Sequence, residues 1–177
     1  TMSAFRKSDA FASRDPFFSA SLKRVYPMYV VPVRTLLAPS FGSFRPHEEL
    51  KAAGVLVEYD ERSMEGKVLF CSHTWLRRNH PDNAQGIKFA LLQAVLQRAV
   101  AGKLDVKPFW MTKMTYQKAS EAFHLRGSDV CGDLANGFVF FDYMSIPQAD
   151  AEAQKRAISS LVSYVSASAY FMCLAGP

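Results

Sequence analysis

The sequence predicts an α/β fold built on a parallel sheet, and three observations carry that prediction. Compact apolar runs end abruptly in polar residues at "KVLFCSH" (67–73), "GFVFFD" (137–142) and "AYFMCL" (169–174). Between them lie two segments of helical period, residues 84–100 and 151–166. Strand, helix, strand, helix, strand is the order that right-handed crossovers turn into a parallel sheet covered by helices. At 177 residues the chain makes one domain with room for an arm, and its core needs no covalent staples.

Residues 1–46 read as the arm. They show no sustained period and contain Pro16, Pro27, Pro32, Pro39 and Pro46 among several phenylalanines and tyrosines. Proline removes backbone donors and biases its predecessor toward extended geometry. Thr1 before Met2 reads as a processing scar. "SAFRKSDAFASRDPFFSASLKR" has the Ser, Ala and basic content of a transit peptide, but Asp9 and Asp15 count against it. The expectation is an extended arm that anchors on a surface, its own or a partner's, with "MYVVPVRTLL" supplying an edge strand because of Pro32.

The α/β domain then spans 47–177. "PHEELKAAG" (46–54) opens with proline, has acids in its first turn and ends in Gly54, which predicts a short helix. "VLVEY" (55–59) alternates as a strand does, and "DERSMEG" (60–66) is a loop. In 84–100 the stripe is Ile87, Ala90, Leu91, Ala94 and Val95, closed by Gly102. Residues 103–136 read as an insertion with a helix from Thr115 to Leu125 and a turn-rich "SDVCGDLANG". The helix 151–166 has its stripe at Ala153, Ala157, Ile158, Leu161, Val162 and Val165.

Composition excludes several roles. A net charge of +5 favours a phosphate-bearing ligand or an acidic partner, but no dense Lys/Arg stripe marks a nucleic-acid binder. Cys71, Cys131 and Cys173 have neither metal-ligand nor disulfide spacing, which predicts a reducing, intracellular setting, cytoplasmic or organellar, and no metal. No apolar run is long enough to span a bilayer. Walker A, GxGxxG, GxSxG and HExxH patterns are absent, so no cofactor is required and no catalytic residue is assigned.

Ligands of an open parallel sheet bind outside the carboxyl ends of its strands. Two polar outbursts lie at such ends: Ser72, His73, Trp75 and Arg77 after the first strand, and Asp142, Tyr143, Ser145 and Gln148 after the second. All of these except Ser145 form the candidate ligand site. Each has a plainer role open to it: His73 bonded to backbone, Trp75 packed in the core, Arg77 solvated, Asp142 capping a turn, Gln148 leading a helix. Cys71 and His73 lie two apart on one strand face, and Cys71 reads as buried rather than activated.

"VLFCSHTWL" resembles the first box of Toll/interleukin receptor (TIR) domains, and "FVFFDYMSIPQAD…KRAISSLVSYVSASAYFMCL" resembles fungal heterokaryon-incompatibility (HET) domains. The chain is also similar to protist and algal proteins that pair an "SHxWL…HPD" box with a "DYxxIPQ" box. The resemblance covers roughly residues 66–177. It implies a flavodoxin-like fold with strand order two-one-three, and carries Ser72, His73, Trp75 and Arg77 onto the first box, with Asp142, Ile146, Pro147 and Gln148 on the second. It implies NAD or a related nucleotide as ligand, and a protein partner or self-association through the arm. The active members' catalytic glutamate lies on a helix after the third strand, where this chain reaches Pro177; Glu121 and Glu152 sit elsewhere. Two functions stay open: an interaction or assembly module that retains nucleotide binding, and an NAD-cleaving, nicotinamide-releasing enzyme whose acid comes from outside this chain.

Overall fold

The computed structural model describes residues 4–6, 23–76, 80–107 and 124–175. Its strands are β1 (Ala4–Arg6), β2 (Tyr29–Pro32), β3 (Val57–Glu58), β4 (Val68–His73), β5 (Phe138–Phe141) and β6 (Tyr170–Leu174). They form one sheet in the spatial order β1-β6-β4-β5-β2-β3. β4 runs parallel to β5 on one side and to β6 on the other. Taken in chain order, these three central strands stand two-one-three, a flavodoxin-like arrangement. β1 adds antiparallel to β6, and β2 antiparallel to both β5 and β3.

The helices are α1 (Val33–Leu36), α2 (His47–Ala52), α3 (Glu61–Met64), α4 (Ile87–Val100), α5 (Gly127–Leu134), α6 (Asp142–Ser145), α7 (Ala151–Ser159) and α8 (Leu161–Ala167). Side chains alternate across a strand, so β4 feeds two cores. Leu69 and Cys71 join Val139, Phe141, Tyr170 and Met172 under α4 and α5. Val68 and Phe70 join Phe140, Ala157 and Tyr164 under α7 and α8. On this second face Phe70 stacks on Phe140 at 4.7 Å and on Phe171 at 5.5 Å, an aromatic row across all three parallel strands. A fully buried ring such as Phe140 contributes about 1.5–3 kcal/mol through the water-accessible surface it loses, and the half-buried Phe171 less.

β5 begins where the chain passes close to β4. A Cβ on Gly137 would lie 2.7 Å from the Lys67 carbonyl oxygen and 2.8 Å from that of Asp133, so only glycine fits between α5 and the first pair of the ladder.

Several expectations are corrected here. The core does not begin at residue 47: Val30, Val31, Val33, Leu36, Phe41 and Phe44 are all buried. β2 is an inner strand rather than an edge. Pro32 is tolerated because β3 pairs only with Tyr29 and Val30, while Pro32 lies at the end of the β5 ladder. "DERSMEG" contains α3, capped by Asp60, whose carboxylate accepts from the Ser63 N–H at 3.2 Å. "SDVCGDLANG" contains most of α5. The helix expected over Thr115–Leu125 falls almost wholly outside the described residues.

Both helical segments bury only part of the stripe their periods suggested: Val95 in the first, and Ala153 and Ala157 in the second, are buried as expected. In α4 the buried residues are Lys88, Phe89, Leu92, Val95, Leu96 and Ala99, whereas Ile87, Ala90, Leu91 and Ala94 face outward. The 151–166 segment is two helices broken at Ser160, and Ile158, Val162 and Val165 are exposed. The buried Ser160 hydroxyl donates to the Arg156 carbonyl and accepts from the N–H groups of Val25 and Tyr26. Those bonds tie the approach to β2 onto the helix break.

Candidate functional site

Parallel pairing in register carries β4 and β5 side by side to their carboxyl ends, where Cys71 pairs with Phe141. Two residues further along β4 and one further along the chain from β5 give the site. His73 Nε2 lies 2.5 Å from Asp142 Oδ1, a short hydrogen bond between residues 69 apart in sequence. The imidazole stacks on Phe141 with ring centroids 4.1 Å apart and planes 8° from parallel. Its Nδ1 faces the Thr74 carbonyl oxygen at 3.2 Å. With 0% of its side chain exposed, the ring is a fixed internal support, while the Asp142 side chain keeps 36% of its surface open.

Asp142 opens α6, and its Oδ1 also accepts the Tyr143 N–H at 2.5 Å. One carboxylate oxygen is thereby occupied twice. Among the described residues Oδ2 receives no hydrogen bond, and it can accept two. Trp75, 42% exposed, meets Tyr143 edge-on at 5.7 Å and lies 5.8 Å from the His73 ring. His80 meets the same tyrosine edge-on at 5.4 Å. Burial first, then the carboxylates of Glu49 and Glu48, raise the Tyr143 phenol above its ordinary pKa, so it is present as a neutral hydroxyl. The result is an oriented carboxylate beside an aromatic rim.

A second set of residues, which the sequence reading missed, supports the β4 side of the site. Gly86, in the left-handed region at φ 68°, precedes α4 and has no side chain to cap it. Asp82 does so from four residues back: Oδ1 accepts the N–H groups of Asn83 at 2.8 Å and Lys88 at 2.9 Å, and Oδ2 that of Phe89 at 2.8 Å. Its own N–H donates to His80 Nδ1 at 3.1 Å. The Lys88 ammonium turns inward and donates to the Thr74 carbonyl oxygen, anchoring the loop that carries Trp75. Burial lowers the Lys88 pKa, and the nearby Asp82 carboxylate opposes that shift. The "PDN" turn ahead of an apolar helix was the available signal for this cap.

His73, Trp75, Asp142 and Tyr143 thus come together, as expected. The other candidates do not join them. Ser72 pairs with Cys173 and occupies the strand face opposite His73. Gln148 lies across α2, where Glu48 Oε1 accepts the N–H groups of Gln148 at 2.6 Å and Ala149 at 2.8 Å. Its side-chain amide folds back to donate to the Ile146 carbonyl at 2.7 Å. Arg77 lies outside the described residues. Cys71 is buried and its thiol is pushed far up, by burial first and by Asp142 and Cys173 next, which leaves it inert as a nucleophile.

Among the described residues no group of three or more His, Cys, Asp or Glu is arranged to hold a metal ion. No described helix is long and apolar enough to cross a membrane. Comparison with protein-family models, curated proteins and solved structures returns no match.

Proposed function

We propose that the chain is a TIR/HET-like assembly module whose carboxyl-end site recognises a nucleotide-like ligand, NAD or a relative. The observation that carries this reading is Asp142: His73 and the Tyr143 N–H hold one oxygen, and the other is left for a ligand beside exposed Trp75. A vicinal diol donates two hydroxyl protons to such a carboxylate, and an indole face stacks on a planar base. Binding is favoured over chemistry because the His73 ring is enclosed, with an acceptor at each nitrogen. A proton shuttle needs a nitrogen that reaches substrate.

Calorimetric titration with NAD, ADP-ribose and AMP tests the reading. All three bind, nicotinamide alone does not, and Asp142→Asn weakens ADP-ribose binding about tenfold or more, the worth of one hydrogen bond to a charged group. Absence of heat, and of any melting shift with millimolar nucleotide, defeats it. Sustained nicotinamide release would replace it with the hydrolytic reading. Self-association is read from the same protein lacking residues 2–22, a cut that spares β2 and the buried residues from Met28 onward. Loss of assembly with a folded domain supports the module.

A further inference from the structure

His47 stands at the start of α2, 2% exposed; neither ring nitrogen makes a hydrogen bond of good geometry, and the backbone of Met144 and Ser145 gives the ring only a weak polar contact. An imidazole always carries at least one N–H, and a buried donor so poorly paired is a cost the fold bears where something else fixes the ring. Tyr29 fixes it from β2, edge-on at 5.3 Å. α2 itself is tied down by Glu48, whose carboxylate collects the two N–H groups of the Gln148–Ala149 turn. That turn follows α6 directly, so the same contact braces the helix that presents Asp142 and Tyr143.

Beside the ring opens a cleft of about 390 Å³, bounded by Tyr26, Glu48, Lys51, Pro147 and Asp150. It brings solvent protons close to a group that is otherwise sealed. The charges around His47 are few. α2 contributes Glu48 and Lys51, and the loop ahead of α7 contributes Asp150 across the cleft. The segment around β2 offers the phenols of Tyr26 and Tyr29, and α6 offers only the backbone of Met144 and Ser145.

We propose that His47 is an acid-sensitive latch: a second ring proton drives the imidazole toward the Glu48 carboxylate, which then lets go of the Gln148–Ala149 turn and frees α6. The proposal concerns regulation of the Asp142 site and rests on the ligand reading only for its consequence, not for the latch itself. Burial holds the folded His47 pKa below its ordinary value, with Glu48 opposing, Lys51 adding, and the backbone of Met144 and Ser145 opposing more weakly. The unfolded chain therefore takes up the proton more readily than the folded one. Stability is full above the ordinary histidine range and falls as pH drops through it toward the folded value. Burial is the largest single influence on Glu48 and raises its pKa, but the backbone N–H groups of Ala149, Glu48 and Gln148, with His47, together outweigh it and keep that pKa low, so its own titration belongs to a lower, separate window.

The test is amide-exchange protection at Gln148 and Ala149, corrected for intrinsic rates and without ligand, at about pH 7.5 and about pH 5.5. In the full chain, protection falls by up to about tenfold per pH unit, the limit for one proton. In His47→Phe, which keeps the ring against Tyr29, it stays level. Equal pH dependence in both proteins overturns the latch. Should the variant fail to fold, direct titration of the wild-type His47 ring by NMR decides, and a midpoint at or above the ordinary histidine value overturns it. ADP-ribose titration at the two pH values follows. A latch that opens without weakening a measurable affinity refutes the coupling to Asp142, whereas no binding at either pH refutes the ligand reading alone.

Discussion

Asp82→Ala lowers the free energy of unfolding by about 3 kcal/mol or more, the largest loss expected from a single polar side chain in this fold. The carboxylate is buried and supplies every acceptor that the Asn83, Lys88 and Phe89 N–H groups use at the head of α4. Deleting a surface cap costs about 1 kcal/mol. Here the Lys88 and Phe89 donors are buried, and each one stranded adds about 1–3 kcal/mol. The same change removes the strongest of the negative charges acting on Lys88 while the side chain remains enclosed. Asp82→Asn keeps one acceptor oxygen and falls between the two. Urea unfolding with an unchanged slope gives these differences directly. A loss below about 1 kcal/mol in Asp82→Ala would mean that water or local rearrangement satisfies the α4 terminus instead.

His73→Ala is expected to cost about 2–4 kcal/mol, from two sources that a second variant separates. The first is packing, because the ring lies flat on Phe141 and is fully enclosed, so alanine leaves a cavity at the end of the sheet. The second is the bond to Asp142. His73→Phe restores the stack without the donor, and it should recover stability while still losing ligand affinity. If the two variants are equally unstable, packing is not the reason His73 is buried. If both are within about 0.5 kcal/mol of wild type, the site is soft, and its Asp142 is not held in place.

How much of this was legible in the sequence depended on range. β4, β5 and β6 were readable because each is an unbroken apolar run, and a parallel sheet follows from helices between them. The meeting of His73 and Asp142 was readable for the same reason, since topology alone brings adjacent strand ends together. The face that α4 buries was not. "IKFALLQAVLQRAV" is apolar around most of its circumference, and Ile87–Leu91 competes with Phe89–Leu92–Leu96 for the core. Lys88, next to Phe89, is turned inward by its bond to Thr74, an interaction no periodicity encodes. Likewise Pro32 argued for an edge, but the short β3 leaves that position unpaired on one side and makes an inner strand possible. Gln148 followed the right motif to the wrong place, because Glu48 claims its backbone from a helix 100 residues earlier.

A buried imidazole from one strand end orients a carboxylate from the next, leaving that carboxylate ready for hydroxyl donors. Proton–nitrogen NMR of the His73 ring addresses it most directly. The wild-type chain should give a slowly exchanging, strongly downfield Nε2 proton that disappears in Asp142→Asn and moves when ADP-ribose is added. A ring proton that exchanges freely with water, or one indifferent to both the substitution and the nucleotide, would contradict it.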